Sequence, residues 1–197
     1  MRKSLLFVWA CMGLVCLMSA CKTSVKSKEW KLVWVEDFDQ KNSFDESVWT
    51  KIPRGTSDWN NYMSYYDSCY AMQDGNLILR GIANHTQKND TAPYLTGGVY
   101  TKGKKLFTGG RVEVCARLQA AKGAWPAIWM LPEKAEWPKG GEIDIMERLN
   151  HDHIAYQTTH SYYTHILGIK DNPPHGGINK INPEEYNIYS VDIYPDS

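Results

Sequence analysis

Residues 140–148 read Gly140-Gly141-Glu142-Ile143-Asp144-Ile145-Met146-Glu147-Arg148. Polar and apolar residues alternate from Glu142 to Ile145, the period of a half-buried strand. Glu142 and Asp144 then share one face, and Ile143 and Ile145 share the other. Glu147 is one residue out of phase. A β-bulge near Ile145–Met146 returns it to the carboxylate face, and bulges re-aim side chains beside active sites. Three acids on one face repel each other, so at least one keeps its proton to higher pH while another stays ionised. A lone Glu-x-Asp reads as the solvated face of an edge strand. The neighbours of this one argue for chemistry.

Upstream lies Gly123-Ala124-Trp125-Pro126-Ala127-Ile128-Trp129-Met130-Leu131-Pro132, then Trp137-Pro138. A pyranose ring presents an apolar face that stacks on indole, so aromatics beside paired carboxylates suit a sugar cleft. Two carboxyl groups flanking a scissile bond are also what glycoside hydrolysis requires. Working outward, short strands are expected near 31–38, 70–72, 76–83, 98–102, 111–118, 127–131, 142–148, 154–162 and 186–194. Asp74-Gly75, Gly109-Gly110 and Gly140-Gly141 punctuate them. Strands at this spacing predict an all-β antiparallel sandwich. Residues 170–185, rich in Pro, Gly and Asn, read as a long loop bordering the cleft.

Gly-x-Trp-Pro-Ala-x-Trp followed by Trp-Pro-x-Gly-Gly-Glu-Ile-Asp-Ile-Met-Glu is similar to glycoside hydrolase family 16. The nearest branch is that of bacterial laminarinases and mixed-linkage β-glucanases, in its β-bulge form. Trp34–Phe38, Asp74–Leu79, Thr96–Lys102 and Gly110–Leu118 resemble further family segments. The likeness runs from about Trp30 to Ser197. It implies a jelly-roll, concanavalin A-like sandwich whose concave face holds the glycan. It also implies a retaining endo-β-glucanase acting on β-1,3 or mixed β-1,3/1,4 glucan. Glu142 would be the nucleophile, Glu147 the general acid/base, and Asp144 the group between them that tunes their charges. Retention needs carboxyl groups about 5–5.5 Å apart. Five residues of strand cover roughly 16 Å, so the bulge and the lean of two Glu side chains must close the gap.

The resemblance also assigns contacts. Trp125 and Trp129 lie in the family's aromatic motif, as sugar platforms or as core. Asn60 and Asn61 match two asparagines that hold sugar hydroxyls, or else form a turn. Tyr62 stands where the family has Glu. His160 matches a histidine beside the acids, or is structural. Glu36 would contribute to a structural calcium, and no catalytic cofactor is implied. Residues Tyr189–Asp196 resemble a strand after which family members continue, so the catalytic domain, residues 30–197, is expected to lack its last strands. The alternatives are a non-catalytic glycan-binding lipoprotein, an inactive fragment, and a hydrolase of galactans such as agar or porphyran.

Basic and acidic residues number 22 each, which offers no basic surface for nucleic acid and fits a neutral glycan. A monomer is expected. Residues 1–21 read as a targeting segment: Arg2 and Lys3, an apolar run, then Leu17-Met18-Ser19-Ala20-Cys21. That ending resembles a lipobox with Cys21 lipidated, residues 22–29 as a tether, and an exported lipoprotein at the outer membrane. Met18 leaves plain secretion as the alternative. Cys69 and Cys115 remain. Export permits a disulfide, but the favoured reading is two buried free thiols.

Overall fold

The computed structural model describes residues 30–40 and 42–194. The targeting segment, Cys21 and the tether lie outside the described residues. The chain divides after Lys31. Of the first unit only Trp30 and Lys31 are described, and neither lies in a strand or helix.

In the second unit the described elements are β1 (Thr50–Lys51), a 3-10 turn (Asp67–Cys69), β2 (Tyr70–Gln73), β3 (Asn76–Leu79), β4 (Gly81–Ala83), β5 (Tyr94–Thr96) and β6 (Val99–Tyr100). There follow β7 (Gly110–Ala116), β8 (Ala127–Met130), β9 (Glu142–Glu147), β10 (Ile154–His160), α1 (Tyr162–His165), β11 (Gly176–Lys180) and β12 (Asn187–Ile193). Among the described residues every pairing between these strands is antiparallel, and one isolated parallel bridge joins Met63 to Thr96. The largest sheet runs β11-β10-β9-β8, and β12 pairs with β7. The fold is the expected all-β jelly roll.

Two layers meet behind β9. Val112 and Ala116 of β7 and Tyr189 and Val191 of β12 pack against Ile128, Met130, Ile143, Ile145, Met146 and Ala155 of the larger sheet. Met146 is fully buried and Ile145 is 2% exposed, so the apolar half of the acid strand forms the centre of the core. Burying a side chain of this size stabilises by about 1.5–3 kcal/mol. Arg148, also buried, closes the end of β9: its guanidinium donates to the carbonyls of Leu118 and Asp152.

Several boundaries differ from expectation. Residues 31–38 form no strand. Phe38 adopts a φ of 52°, and Glu36 Oε1 accepts from its N–H at 3.0 Å, so the chain turns there. The 76–83 strand is divided at Arg80, where the chain changes partner: its N–H donates to Cys69 O beside β2, while its carbonyl accepts from Gly97 N beside β5. Asp74 and Gly75 both have positive φ, 52° and 68°, which makes a two-residue hairpin turn between β2 and β3. The 170–185 loop contains β11, paired along its length with β10. Its five residues, Gly-Gly-Ile-Asn-Lys, are all exposed and, Ile178 apart, carry little strand propensity, so sheet pairing overrides composition. The 154–162 strand stops at His160, because Ser161 and Thr164 form a capping box that starts α1. Cys69 and Cys115 are both free, but only Cys69 is buried. Cys115 lies on the outward face of β7, alternating with Val112, Val114 and Ala116.

Candidate active site

The strand pairing fixes the acid row. On β10, Thr158 faces Asp144 and Tyr156 faces Glu147. One residue on β10, Gln157, therefore opposes two on β9, Ile145 and Met146. On β8, Trp129 faces Asp144 and Ile128 faces Met146, which again skips Ile145. Ile145 is the extra residue of a bulge, at the expected place, and the bulge brings Glu147 back onto the face of Glu142 and Asp144. Directly opposed residues share a face. Trp129, Thr158 and His160, which pair with Asp144, Asp144 and Glu142, therefore line the same face as the acids.

Two tryptophans hold the outer acids. Trp137 Nε1 donates to Glu142 Oε2 at 2.6 Å, and Trp125 Nε1 donates to Glu147 Oε1 at 2.7 Å. Trp125 arrives there because its loop is stitched to the turn after β9: Asn150 Oδ1 accepts from Gly123 N, and Asn150 N donates to Ala124 O. Trp137 sits in a turn closed by Gly140 N to Glu136 O and Gly141 N to Pro138 O. Gly141, with a φ of 80°, then enters β9 in a conformation that side-chain-bearing residues rarely adopt. The outer edge of Trp137 meets His165 of α1, ring centroids 4.5 Å apart.

Asp144 lies between the two glutamates and is 5% exposed. Burial, then the neighbouring Glu147 and Glu142 charges, push its pKa from 3.8 up to about 7. His160 Nε2 lies 3.2 Å from Asp144 Oδ2. The raised acid of the row is thus the middle one. Glu142, Asp144 and His160 also present ligand atoms within 4.8 Å of one another, a group with donors suited to a divalent ion.

The remaining site residues separate. Trp129 is held by Trp59, centroids 5.5 Å apart, which ties the 55–62 loop to the acid face. Asn60 has its side chain in its own turn: Oδ1 accepts from Ser57 N at 3.1 Å, and the amide lies against Gly55. Asn61 Oδ1 is buried with no donor among the described residues. Tyr62 meets Tyr94 edge-on at 6.1 Å. The two oxygens of Glu36 accept from Phe38 N and Trp49 Nε1, and the one group of metal-type side chains among the described residues, Glu142, Asp144 and His160, lies elsewhere. Sequence reasoning gave no individual role to Trp137, Trp59 or Gln157. The Trp137-Pro138 pair beside the acids was the available signal for the first.

The chain matches the model of the XgeA-like catalytic domain of glycoside hydrolase family 16 over residues 70–175. It is 38% identical over 174 residues to a keratan-sulfate endo-1,4-β-galactosidase of Sphingobacterium multivorum, covering 86% of this chain and 40% of that protein. It is 31% identical over 193 residues to a β-glucanase of Rhodothermus marinus, covering 92% of this chain and 65% of that protein. The crystal structure of the laminarinase from Rhodothermus marinus superposes with a TM-score of 0.72 at 30% identity, covering 85% of this chain and 69% of that one. The chain is a member of glycoside hydrolase family 16.

Proposed function

We propose that the protein is a retaining endo-β-glucanase that cleaves β-1,3 or mixed β-1,3/1,4 glucan. The observation that carries this reading is the bulged strand that sets Glu142, Asp144 and Glu147 on one face, with an indole N–H on each outer acid. Glu142 attacks the anomeric carbon and the bond to the leaving oxygen breaks. Glu147 gives that oxygen its proton, leaving a glycosyl ester on Glu142. Glu147, now ionised, takes a proton from water, whose oxygen attacks the anomeric carbon and frees Glu142. Asp144, when protonated, lowers the repulsion between its two neighbours. Trp125, Trp129 and Asn61 supply stacking and hydrogen bonding along the cleft. Lipidation at Cys21 would tether the protein to the outer membrane.

A second reading has one observation in its favour. The 38% identity to a protein named for keratan sulfate covers 86% of this chain, and Tyr62 replaces the glutamate of the glucanase pattern. The bond cleaved would then be a β-1,4-galactosidic one. Product analysis on laminarin, mixed-linkage β-glucan and keratan sulfate decides. Oligosaccharides from either glucan support the first reading. Cleavage of keratan sulfate alone supports the second, and no cleavage of any of the three overturns both.

A further inference from the structure

We propose that Gln157 and Asn179 form a side-chain clamp that locks the bulge in β9 and so positions Glu147; this rests on the reading of Glu147 as the acid/base. A bulge leaves its extra residue without a ladder partner. That residue here is Ile145, passed over by the register on both β8 and β10. Its carbonyl is in the core, where a polar group without a donor costs about 1–3 kcal/mol. The donor comes from a side chain: Gln157 Nε2 donates to Ile145 O at 2.9 Å. Gln157 is the single β10 residue facing the bulge. A carbonyl can only accept, so Gln157 must present its NH2 group inward, which leaves its Oε1 free to accept. Asn179 Nδ2 on β11 donates to that oxygen at 2.9 Å. The relay links three adjacent strands across the one point where the backbone ladder is broken.

The consequence for the site is positional. Glu147 follows Ile145 by two residues and owes its face to the bulge. If the bulge slips by one residue, every side chain beyond it moves to the opposite face, and Glu147 turns toward the core. Gln157 lies on the back of the sheet, in line with buried Ala155, and its side chain bonds to Ile145 and Asn179. It acts through the backbone, and its effect appears in proton donation rather than in substrate binding.

The test compares Gln157→Glu, Asn179→Ala and, as a control, Glu147→Gln in the full chain. Gln157→Glu keeps the shape but has no donor for Ile145 O when ionised, and Asn179→Ala alters only an exposed strand, so it retains the fold. Two substrates are used: laminarin, whose leaving group needs a proton, and 2,4-dinitrophenyl β-laminaribioside, whose leaving group does not. The expected result is a fall in kcat/KM on laminarin of about tenfold for Gln157→Glu, part of the roughly 10²–10⁴ that a positioned general acid contributes. KM and the kcat/KM for the aryl glycoside should stay within about twofold. Deuterium exchange in the peptide spanning residues 142–148 should quicken in both clamp variants, with the rest of the core unchanged. Equal losses on both substrates, or unchanged exchange at the bulge, overturn the clamp. If Glu147→Gln shows no selective loss on laminarin, the acid/base reading fails instead, and the exchange data still judge the clamp.

Discussion

Trp137 Nε1 lies 2.6 Å from Glu142 Oε2. Trp125 repeats the arrangement on Glu147 at 2.7 Å. The two indoles come from opposite ends of β8, one from the loop before it and one from the loop after. An indole N–H donates and never accepts. Each outer acid therefore has one oxygen fixed as an acceptor, which restricts the carboxyl rotamers. A nucleophile already in its reactive orientation has less entropy to lose in the transition state. Trp125, which the family resemblance offers as a sugar platform, thus has a second task on the acid itself.

Trp137→Phe separates stacking from holding the acid. The variant keeps a ring against His165 and loses the donor. A hydrogen bond to a charged group is worth about 1.5–3 kcal/mol, so kcat on laminarin should fall by about tenfold or more while KM stays within about twofold. Steady-state kinetics check this. A raised KM with unchanged kcat would mean that Trp137 serves only to stack sugar.

Glu142→Gln should reduce turnover by at least about three orders of magnitude, because the amide cannot form the glycosyl ester. The amide still accepts from Trp137, so the near-ultraviolet circular dichroism should match that of the parent. Turnover close to the parent's in a folded variant would remove Glu142 from the role of nucleophile.

The alternation of Glu142 to Ile145, with Glu147 one step out of phase, made the acid strand and its bulge legible. Both follow from a local period. What was not legible depends on contacts distant in sequence. Strand β11 is formed from exposed residues mostly of low propensity because β10 offers it an edge, and nothing in Gly-Gly-Ile-Asn-Lys announces that. Residues 31–38 hold the apolar run Leu32–Val35, yet no described strand pairs with them, and Val33 is left 89% exposed. The Trp137 donor and the Gln157 clamp depend on the approach of a loop and a neighbouring strand that spacing along the chain does not encode. The raised pKa was expected somewhere in the row. Burial placed it on Asp144, the acid whose cross-strand neighbours are Trp129 and Thr158.

Cys21 should carry lipid. The apolar run after Arg2 and Lys3 and the Leu17–Cys21 segment motivate this. Mass spectrometry of the mature protein from its membrane fraction should find an acylated N-terminal Cys21. Cys21→Ala should release the protein from the membrane. A mature chain beginning at another residue would remove the lipoprotein reading while leaving secretion in place.

Asp144 makes stability fall as pH rises. Its folded-state pKa of about 7 exceeds the ordinary 3.8, because burial and the charges of Glu147 and Glu142 oppose ionisation. Between those values the native state holds a proton that the unfolded state has released, so unfolding becomes easier with increasing pH. The contribution is fully present below about 3.8 and is lost as pH passes through about 7. The slope between them approaches about 1.4 kcal/mol per pH unit. Asp144→Asn removes the titration and keeps an oxygen for His160 Nε2. Glu142, Glu147 and His160 face the position in both proteins, so the difference between the two stability curves reports Asp144 together with its coupling to those three groups. The parent's Tm should therefore decline relative to the variant's between about pH 4 and pH 7, and the two curves should run parallel above about pH 8. Thermal melts across that range are the measurement. Parallel curves over the whole interval would show that Asp144 ionises in the folded protein as it does in the unfolded chain, and that the crowding of the three acids is relieved by some group other than its proton.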